Sequence, residues 1–224
     1  MSKSNDEISL IGFEIFCHSD KIKRDLENYQ SFYSDVEFLF QKKDKELQQN
    51  INEKLKSVPE EHHSEFVEGY GQDLHENQFL FPSMHRESIF ITLYNYLEHS
   101  LNEYCRLISK LSENPIKLSD LNHKGVQRAI VYLKKIALLD LSDADTEHAF
   151  LINSNRLRNR IVHAGGILPS NEEEKVNKFI DSQGNLTGSP GCAVIFREKF
   201  ILEFINNLAG YLKVVGAESI KIKD

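Results

Sequence analysis

From Ser19 onward, apolar side chains fall at Ile22, Leu26, Tyr29, Tyr33, Val36, Phe40, Leu47, Ile51, Leu55 and Val58. Steps of three, four and seven predict one amphipathic helix roughly ten turns long, with Ser19 as its N-cap and Val58-Pro59 as its end. A helix of that length either spans a whole bundle or pairs with another copy. Upstream, residues 7–17 (EISLIGFEIFC) are apolar but short, and periodicity leaves strand and helix equally open there.

Pro59 restarts a polar helical segment to about His75, weakened by Gly69 and Gly71. Its histidines, His62, His63 and His75, lack metal-ligand spacing and read as a solvated surface. Phe81-Pro82-Ser83 then opens the most apolar helix of the chain, about 83–112. Ile89, Leu93, Tyr96, Leu97, Leu101, Tyr104, Leu107, Ile108 and Leu111 form a broad stripe, and Phe90, Ile91 and Tyr94 cover much of the rest. Such a helix belongs at the centre of a bundle. Glu98 shares a line with Ile91, Tyr94, Leu101 and Cys105, so a partly buried carboxylate in need of a partner is predicted.

Asn114-Pro115 breaks the chain. A further helix is predicted from Ser119 or Asn122 to Leu139, with Ile130, Leu133 and Ile136 inward. Ser142 and Asp145 resemble a capping box opening the next helix, whose apolar side is Ala149, Phe150, Leu157, Ile161 and Ala164 and whose stop is Gly165-Gly166. After Pro169 a short helix is predicted over 172–181. Turn material follows at 184–191, then the apolar run 192–196 as a short strand or lead-in, and last a helix over 198–215. The sum is an all-α helical bundle, divided as an N-terminal segment and helical arm (1–79), a helical domain (80–216) and a tail (217–224).

The 224 residues, 40% hydrophobic and 27% charged, are ordinary for a globular chain and exclude disorder as the default. A net charge of -7 argues against broad coating of nucleic acid but is compatible with a local basic cleft. Cys17, Cys105 and Cys192 are scattered and odd in number, which predicts reduced, mostly buried thiols rather than disulfides or zinc. No window approaches the roughly 18 apolar residues of a membrane helix, and the opening MSKSNDEISL has no apolar run behind a basic segment. A cytoplasmic protein without membrane contact is expected.

The chemistry concentrates in RLRNRIVHAGG, residues 156–166. Arginine clamps phosphate, and histidine moves protons near neutral pH. On a helix, Ile152, Arg156, Asn159 and His163 share a line, whereas Arg158 stands about 140° from His163. A neutral His163 can take the proton of an RNA 2′-hydroxyl while Arg158 or Arg156 neutralises the phosphate, a reaction that needs no metal and no cofactor. A second subunit could complete the pairing of Arg158 with His163. Arginine and histidine are also favourable at a helix C-terminus for purely structural reasons.

The stretch resembles the signature of the HEPN superfamily, compact all-α domains whose motif is Arg, four to six residues, then His, often with Asn after the Arg. Arg158-Asn159-Arg160-Ile161-Val162-His163 fits the four-residue form and Arg156 to His163 the six-residue form. Since Asn159 follows Arg158, Arg158 matches the family arginine. The apolar helix carrying Glu98, the motif helix and the closing amphipathic helix follow the family order.

The resemblance implies a metal-independent endoribonuclease of the toxin, anti-phage or RNA-processing kind. It would be a homodimer with a composite site, leaving 2′,3′-cyclic phosphate ends and restrained in some members by an antitoxin or regulatory protein. It assigns His163 as general base or acid, Arg158 to the phosphate and Asn159 to orientation, with Arg156 and Arg160 as RNA contacts and Glu98 as a supporting acid. One subgroup, the toxins paired with nucleotidyltransferase antitoxins, carries Tyr two residues after the His; Gly165 stands there in this chain. The rival reading is a non-catalytic helical interaction module whose long N-terminal helix binds a partner.

Overall fold

In the computed structural model, which describes residues 10–111 and 116–222, the long apolar stripe forms α1 (Leu10–Leu55). At 1.5 Å per residue it is roughly 69 Å long. The stretch left open between strand and helix is helical from Leu10 on, and residues 7–9 lie outside the described ones. Ser19 is therefore an interior position rather than an N-cap: its Oγ donates to the Ile15 carbonyl at 2.9 Å and lies 2.8 Å from the Tyr104 hydroxyl. A serine within a helix can satisfy its hydroxyl on the preceding turn, which removes its value as a start signal.

The first half of α1 enters the core through Ile15, Ile22, Leu26 and Tyr33, alongside α4 (Phe81–Leu111) and α8 (Glu198–Ile220). Its second half packs on the segment 60–80, which comprises a 3₁₀ turn (Glu60–His62), α2 (His63–Glu68), α3 (Gly71–His75) and a π turn (Glu76–Leu80). Buried Ile51 and the bonds from Lys54 Nζ to the Tyr70 hydroxyl (2.9 Å) and from Gln78 Nε2 to Asp44 (2.9 Å) hold the two strips together. The backbone is helical without interruption from Gly71 to Leu111, across the boundary expected at 79 and 80.

Helix α4 occupies the centre. Ile89, Phe90, Leu93, Tyr94, Leu97, Leu101, Tyr104, Leu107 and Ile108 are all buried, and the Phe90 ring meets those of Phe196, Phe200 and Phe204 at centroid distances of 5.4, 5.8 and 4.9 Å. Edge and tilted ring contacts of this kind add to the area buried by the rings themselves.

The expected break at Asn114-Pro115 lies outside the described residues. The helix expected from Ser119 or Asn122 starts later, as α5 (Gly125–Val131), after a 3₁₀ turn at Leu118–Asp120. Gly125 has φ +57°, a conformation that glycine adopts without the Cβ clash of other residues, and the helix enters from it. The segment closes in a π turn (Tyr132–Ile136); Ile130 and Leu133 are buried and Ile136 is half-buried.

Helix α6 (Asp145–Ala164) carries the motif. Beyond it lie α7 (Lys175–Ser182) and an antiparallel pair, β1 (Leu186–Thr187) and β2 (Ile195–Phe196), with Leu186 opposite Phe196. Helix α8 runs five residues past the expected end at Val215, to Ile220, and Ser219 is fully buried with its hydroxyl on the Val215 carbonyl. Cys17 and Cys192 are exposed, against the expectation of mostly buried thiols. Cys105 alone is buried, and its thiol is pushed up to about 12 by that burial. Among the described residues no helix is long and apolar enough to cross a membrane, and no group of three or more acidic, histidine or cysteine side chains is placed to hold a metal.

One buried ion pair ties these elements together. Arg86 donates from Nε to Glu37 Oε1 (2.8 Å) and from Nη2 to Oε2 (2.6 Å), and its Nη1 reaches the Phe196 carbonyl at 3.0 Å. Nearby, the Tyr33 hydroxyl donates to the Glu198 carbonyl at 2.7 Å. The Glu37 side chain is only 3% exposed, so losing Arg86 would leave a carboxylate in apolar surroundings. Arg86→Met is expected to cost about 3 kcal/mol in urea unfolding, and Glu37→Leu with Arg86→Met less than half of that, because removing both charges strands neither. Equal losses for the single and double variants would contradict this account.

Candidate functional site

The start of α6 is not the expected capping box. Ser142 turns back, with its Oγ on Asp140 Oδ1 at 2.7 Å and its N–H on the same oxygen at 3.0 Å. A 3₁₀ turn, Ser142–Ala144, intervenes, and the N-cap is Ala144 without a side-chain cap. Asp145 and Glu147 in the first turn suit the positive end of the helix dipole.

The buried face consists of Leu151, Ser154 and Leu157, with Phe150 half-buried against Phe179, Phe200 and Phe204. Ala149, expected inward, is exposed, since two residues along a helix turn it about 200° away from Leu151. At the other end Gly165 (φ +57°) and Gly166 (φ +75°) form the expected stop, and both of their N–H groups reach the Arg160 carbonyl.

The three arginines of the motif go to three different places. Arg160 folds over the stop: its Nε and Nη2 donate to the Ile167 carbonyl at 2.9 and 2.5 Å, which closes the turn after the two glycines. Arg156 is half-buried, bonded from Nη1 to Asn153 Oδ1, and with Arg160 it lines a cleft of about 540 Å³ whose other wall includes Asn171, Glu173, Glu174 and Lys175. Arg158 points the other way, toward α4. It is half-buried, its Nη1 donates to Asn159 Oδ1 at 3.2 Å, and its Nε is buried without a partner among the described residues.

Asn159 and His163 are both exposed on the last two turns, and His163 makes no hydrogen bond within the described residues. The helical wheel's separation of Arg158 from the line of Arg156, Asn159 and His163 is thus kept in three dimensions. A single chain does not bring Arg158 and His163 together as a hydrogen-bonded pair.

Glu98 is half-buried and has no ion-pair partner among the described residues. Its Oε2 sits 3.4 Å from where a Cβ on Gly125 would stand, against the first turn of α5, where a negative charge meets the positive end of that helix. The charges of Glu98 and Arg158 both act on Tyr94, whose hydroxyl is buried and without a partner among the described residues. Burial raises the Tyr94 pKa above the ordinary range; the charge of Glu98 raises it further and that of Arg158 lowers it.

Tyr94 is one of several buried polar groups on the packed helices. Asn102 Oδ1 on α4, Arg128 Nε on α5, His148 Nε2 and Ser154 Oγ on α6, and the Tyr211 hydroxyl on α8 are likewise buried without partners among the described residues. The legible signal was Tyr94, Glu98 and Asn102 at steps of four in an otherwise apolar helix, which puts three polar groups on one face.

His148 stacks on Tyr211 at 6.0 Å, and burial lowers its pKa, with Lys134 acting in the same direction. His18 and His85 are lowered too, in each case first by burial. A histidine whose folded pKa is depressed takes up its proton more readily when unfolded, so its neutral form stabilises the fold above the unfolded value of about 6.5, and that contribution is lost as pH falls below it. Unfolding free energy is expected to be level from pH 8 to 7 and to decline from pH 6.5 toward 5, less steeply in His148→Phe. A level profile down to pH 5 would contradict the burial of these rings. Compared with family models, with curated proteins and with solved structures, the chain matches none, so the reading of function rests on this geometry and on the motif.

Proposed function

We propose that the chain is a metal-independent endoribonuclease of HEPN type, acting as a homodimer. The observation that carries the reading is the arrangement at the end of α6: an exposed His163, an exposed Asn159 one turn before it, and an Arg158 guanidinium held by Asn159. His163 takes the proton from a ribose 2′-hydroxyl. The 2′-oxygen bonds to phosphorus, the bond to the 5′-oxygen breaks, and that oxygen takes a proton from a protonated His163 of the dimer, so the ends are a 2′,3′-cyclic phosphate and a 5′-hydroxyl.

Arg158 neutralises the charge that builds on the phosphoryl oxygens, and Asn159 orients it. Glu98 is the supporting acid of this reading: it makes no ion pair with Arg158 among the described residues, and its charge, like that of Arg158, acts on the buried Tyr94 hydroxyl. Because His163 and Arg158 diverge within one chain, the reading requires a second copy whose α6 faces the first, so that the His163 of one chain works with the Arg158 of the other. Arg156 and Arg160 hold the strand further along. A toxin, anti-phage or RNA-processing role and restraint by an antitoxin or regulatory protein belong to the same proposal.

A second reading, a non-catalytic interaction module, is favoured by one observation: Phe32 (55%), Leu39 (51%), Phe81 (42%) and Met84 (59%) are exposed where α1 and α4 run side by side. Apolar side chains of this size exposed near one another mark an association surface.

Incubation of the full chain with mixed RNA in EDTA separates the two. The nuclease reading expects cleavage, reduced at least about a hundredfold by His163→Ala, as loss of a general acid or base requires, and by Arg158→Ala to a similar degree, as loss of a transition-state charge partner requires. Intact RNA with a dimeric, folded chain sinks the nuclease and leaves the interaction module.

A further inference from the structure

Helix α4 is covered on most sides, but one line of it faces solvent. Between residues 81 and 99 its exposed positions are Phe81, Met84, Ser88, Thr92, Asn95 and His99, and steps of three and four keep them on one face. None is lysine, arginine, aspartate or glutamate, in a chain of which 27% is charged. Further along the same line the exposed residues are Arg106 and Lys110, so the uncharged strip has an end. The solvent face of a helix is ordinarily where charge collects. A face that lacks it, and carries aromatic and methionine side chains instead, has the composition of an interface core. The hydroxyls of Ser88 and Thr92 donate back to the carbonyls of Met84 (2.7 Å) and Ser88 (2.9 Å), so they are already satisfied within the helix.

The strip borders both α1 and the motif. Asn95 stands between Tyr96, whose hydroxyl donates to Asp25 of α1 at 2.9 Å, and Tyr94, on which the charge of Arg158 acts. On the α1 side, the Phe32 ring lies 6.1 Å from that of His85, and Leu39 follows seven residues on, on the same side of α1. On α6, Val162, one turn after Arg158, is exposed as well. Phe32, Leu39, Phe81 and Met84 are 42–59% exposed. At about 200 Å² for a side chain of this size they offer roughly 400 Å² of apolar surface, half of the about 800 Å² that each partner of a standard interface buries. The polar part of the strip adds to that.

We propose that this strip is the surface through which two copies of the chain pair. Each copy has a net charge of -7, and a two-fold axis sets a patch against itself, so an unpaired charge within it would meet its like. A strip without charge avoids that conflict. Its two remaining polar side chains suit the same symmetry: the amide of Asn95 and a neutral imidazole at His99 each hold a donor and an acceptor, and each can bond to its own copy. A different protein is ordinarily selected through opposite charge, which this face does not offer. The proposal rests on the ribonuclease reading for its consequence, since pairing through a face that borders Arg158 brings that residue beside the second chain, as a composite site requires. It names what that reading leaves open: which surface pairs.

Sedimentation velocity of the full chain tests it, and a dimer is expected at micromolar concentration. Ser88→Glu with Thr92→Glu puts like charges into the face on both copies and is expected to weaken the dimer at least about a hundredfold, with helical content unchanged because both positions are exposed. Gln30→Glu with Asn206→Asp adds the same charge on the exposed groove between α1 and α8 and is expected to leave the dimer intact. Mixing the Glu variant with a chain carrying Ser88→Lys and Thr92→Lys is expected to restore a dimer with one copy of each, which a damaged fold would not allow. A monomeric unaltered chain overturns the proposal and leaves the strip to a different protein, and a dimer that the Glu variant does not weaken overturns it too. RNA cleavage is scored separately. If the dimer behaves as expected and no RNA is cut, the pairing stands and the nuclease reading fails; if a monomeric chain cuts RNA, the reverse holds.

Discussion

Burial of α4 on nearly every side is the constraint from which the rest of the structure follows. A helix with Phe90, Leu93, Leu97, Leu101 and Tyr104 all inaccessible needs neighbours on most sides, and α1, α5, α6 and α8 supply them. The polar groups on its covered sides must then face a neighbour rather than water. Tyr94, Glu98 and Asn102 do so at steps of four on one face of α4. At the N-terminal end of α4, Arg86 bonds to α1 and to the strand before α8 at once, so the closure of the bundle depends on one guanidinium.

The same packing explains why three arginines within five residues do not form one basic patch. Helical spacing sends Arg156 and Arg160 to one side and Arg158 to the other. Arg160 then serves the backbone turn that ends the helix, Arg156 lines the cleft toward α7, and only Arg158 meets the central helix. His163 is left on the outer surface, one residue before the last of the helix. As a monomer this is a set of parts on different faces. The proposed function therefore needs a second copy to supply what one chain keeps apart.

Long periodic elements were legible because their pattern repeats many times over. The stripe of α1 from Ile22 to Leu55 and that of α4 survive as buried or half-buried positions. The ends of elements were not, because each end is decided by one or two hydrogen bonds that a sequence leaves ambiguous. Ser19 bonds back to Ile15, Ser142 bonds back to Asp140, and Gly125 starts α5 from a left-handed backbone conformation. The inward face of α6 was misjudged at Ala149 for a related reason, as the burial of Leu151 and Ser154 follows from contact with α4 and α8 rather than from apolar character. The motif itself was legible as residue types at a spacing. Its separation into opposite faces was legible from helix geometry, whereas the engagement of Arg160 with Ile167 depends on a loop that no periodicity describes.

The reaction proposed for His163 and Arg158 has a chemical signature in its products. The most direct measurement is the mass of the ends left on a defined oligoribonucleotide after incubation with the full chain in EDTA. The account predicts a 2′,3′-cyclic phosphate on one fragment and a 5′-hydroxyl on the other. A 3′-hydroxyl with a 5′-phosphate would contradict it, because those ends require attack by water rather than by the neighbouring ribose oxygen.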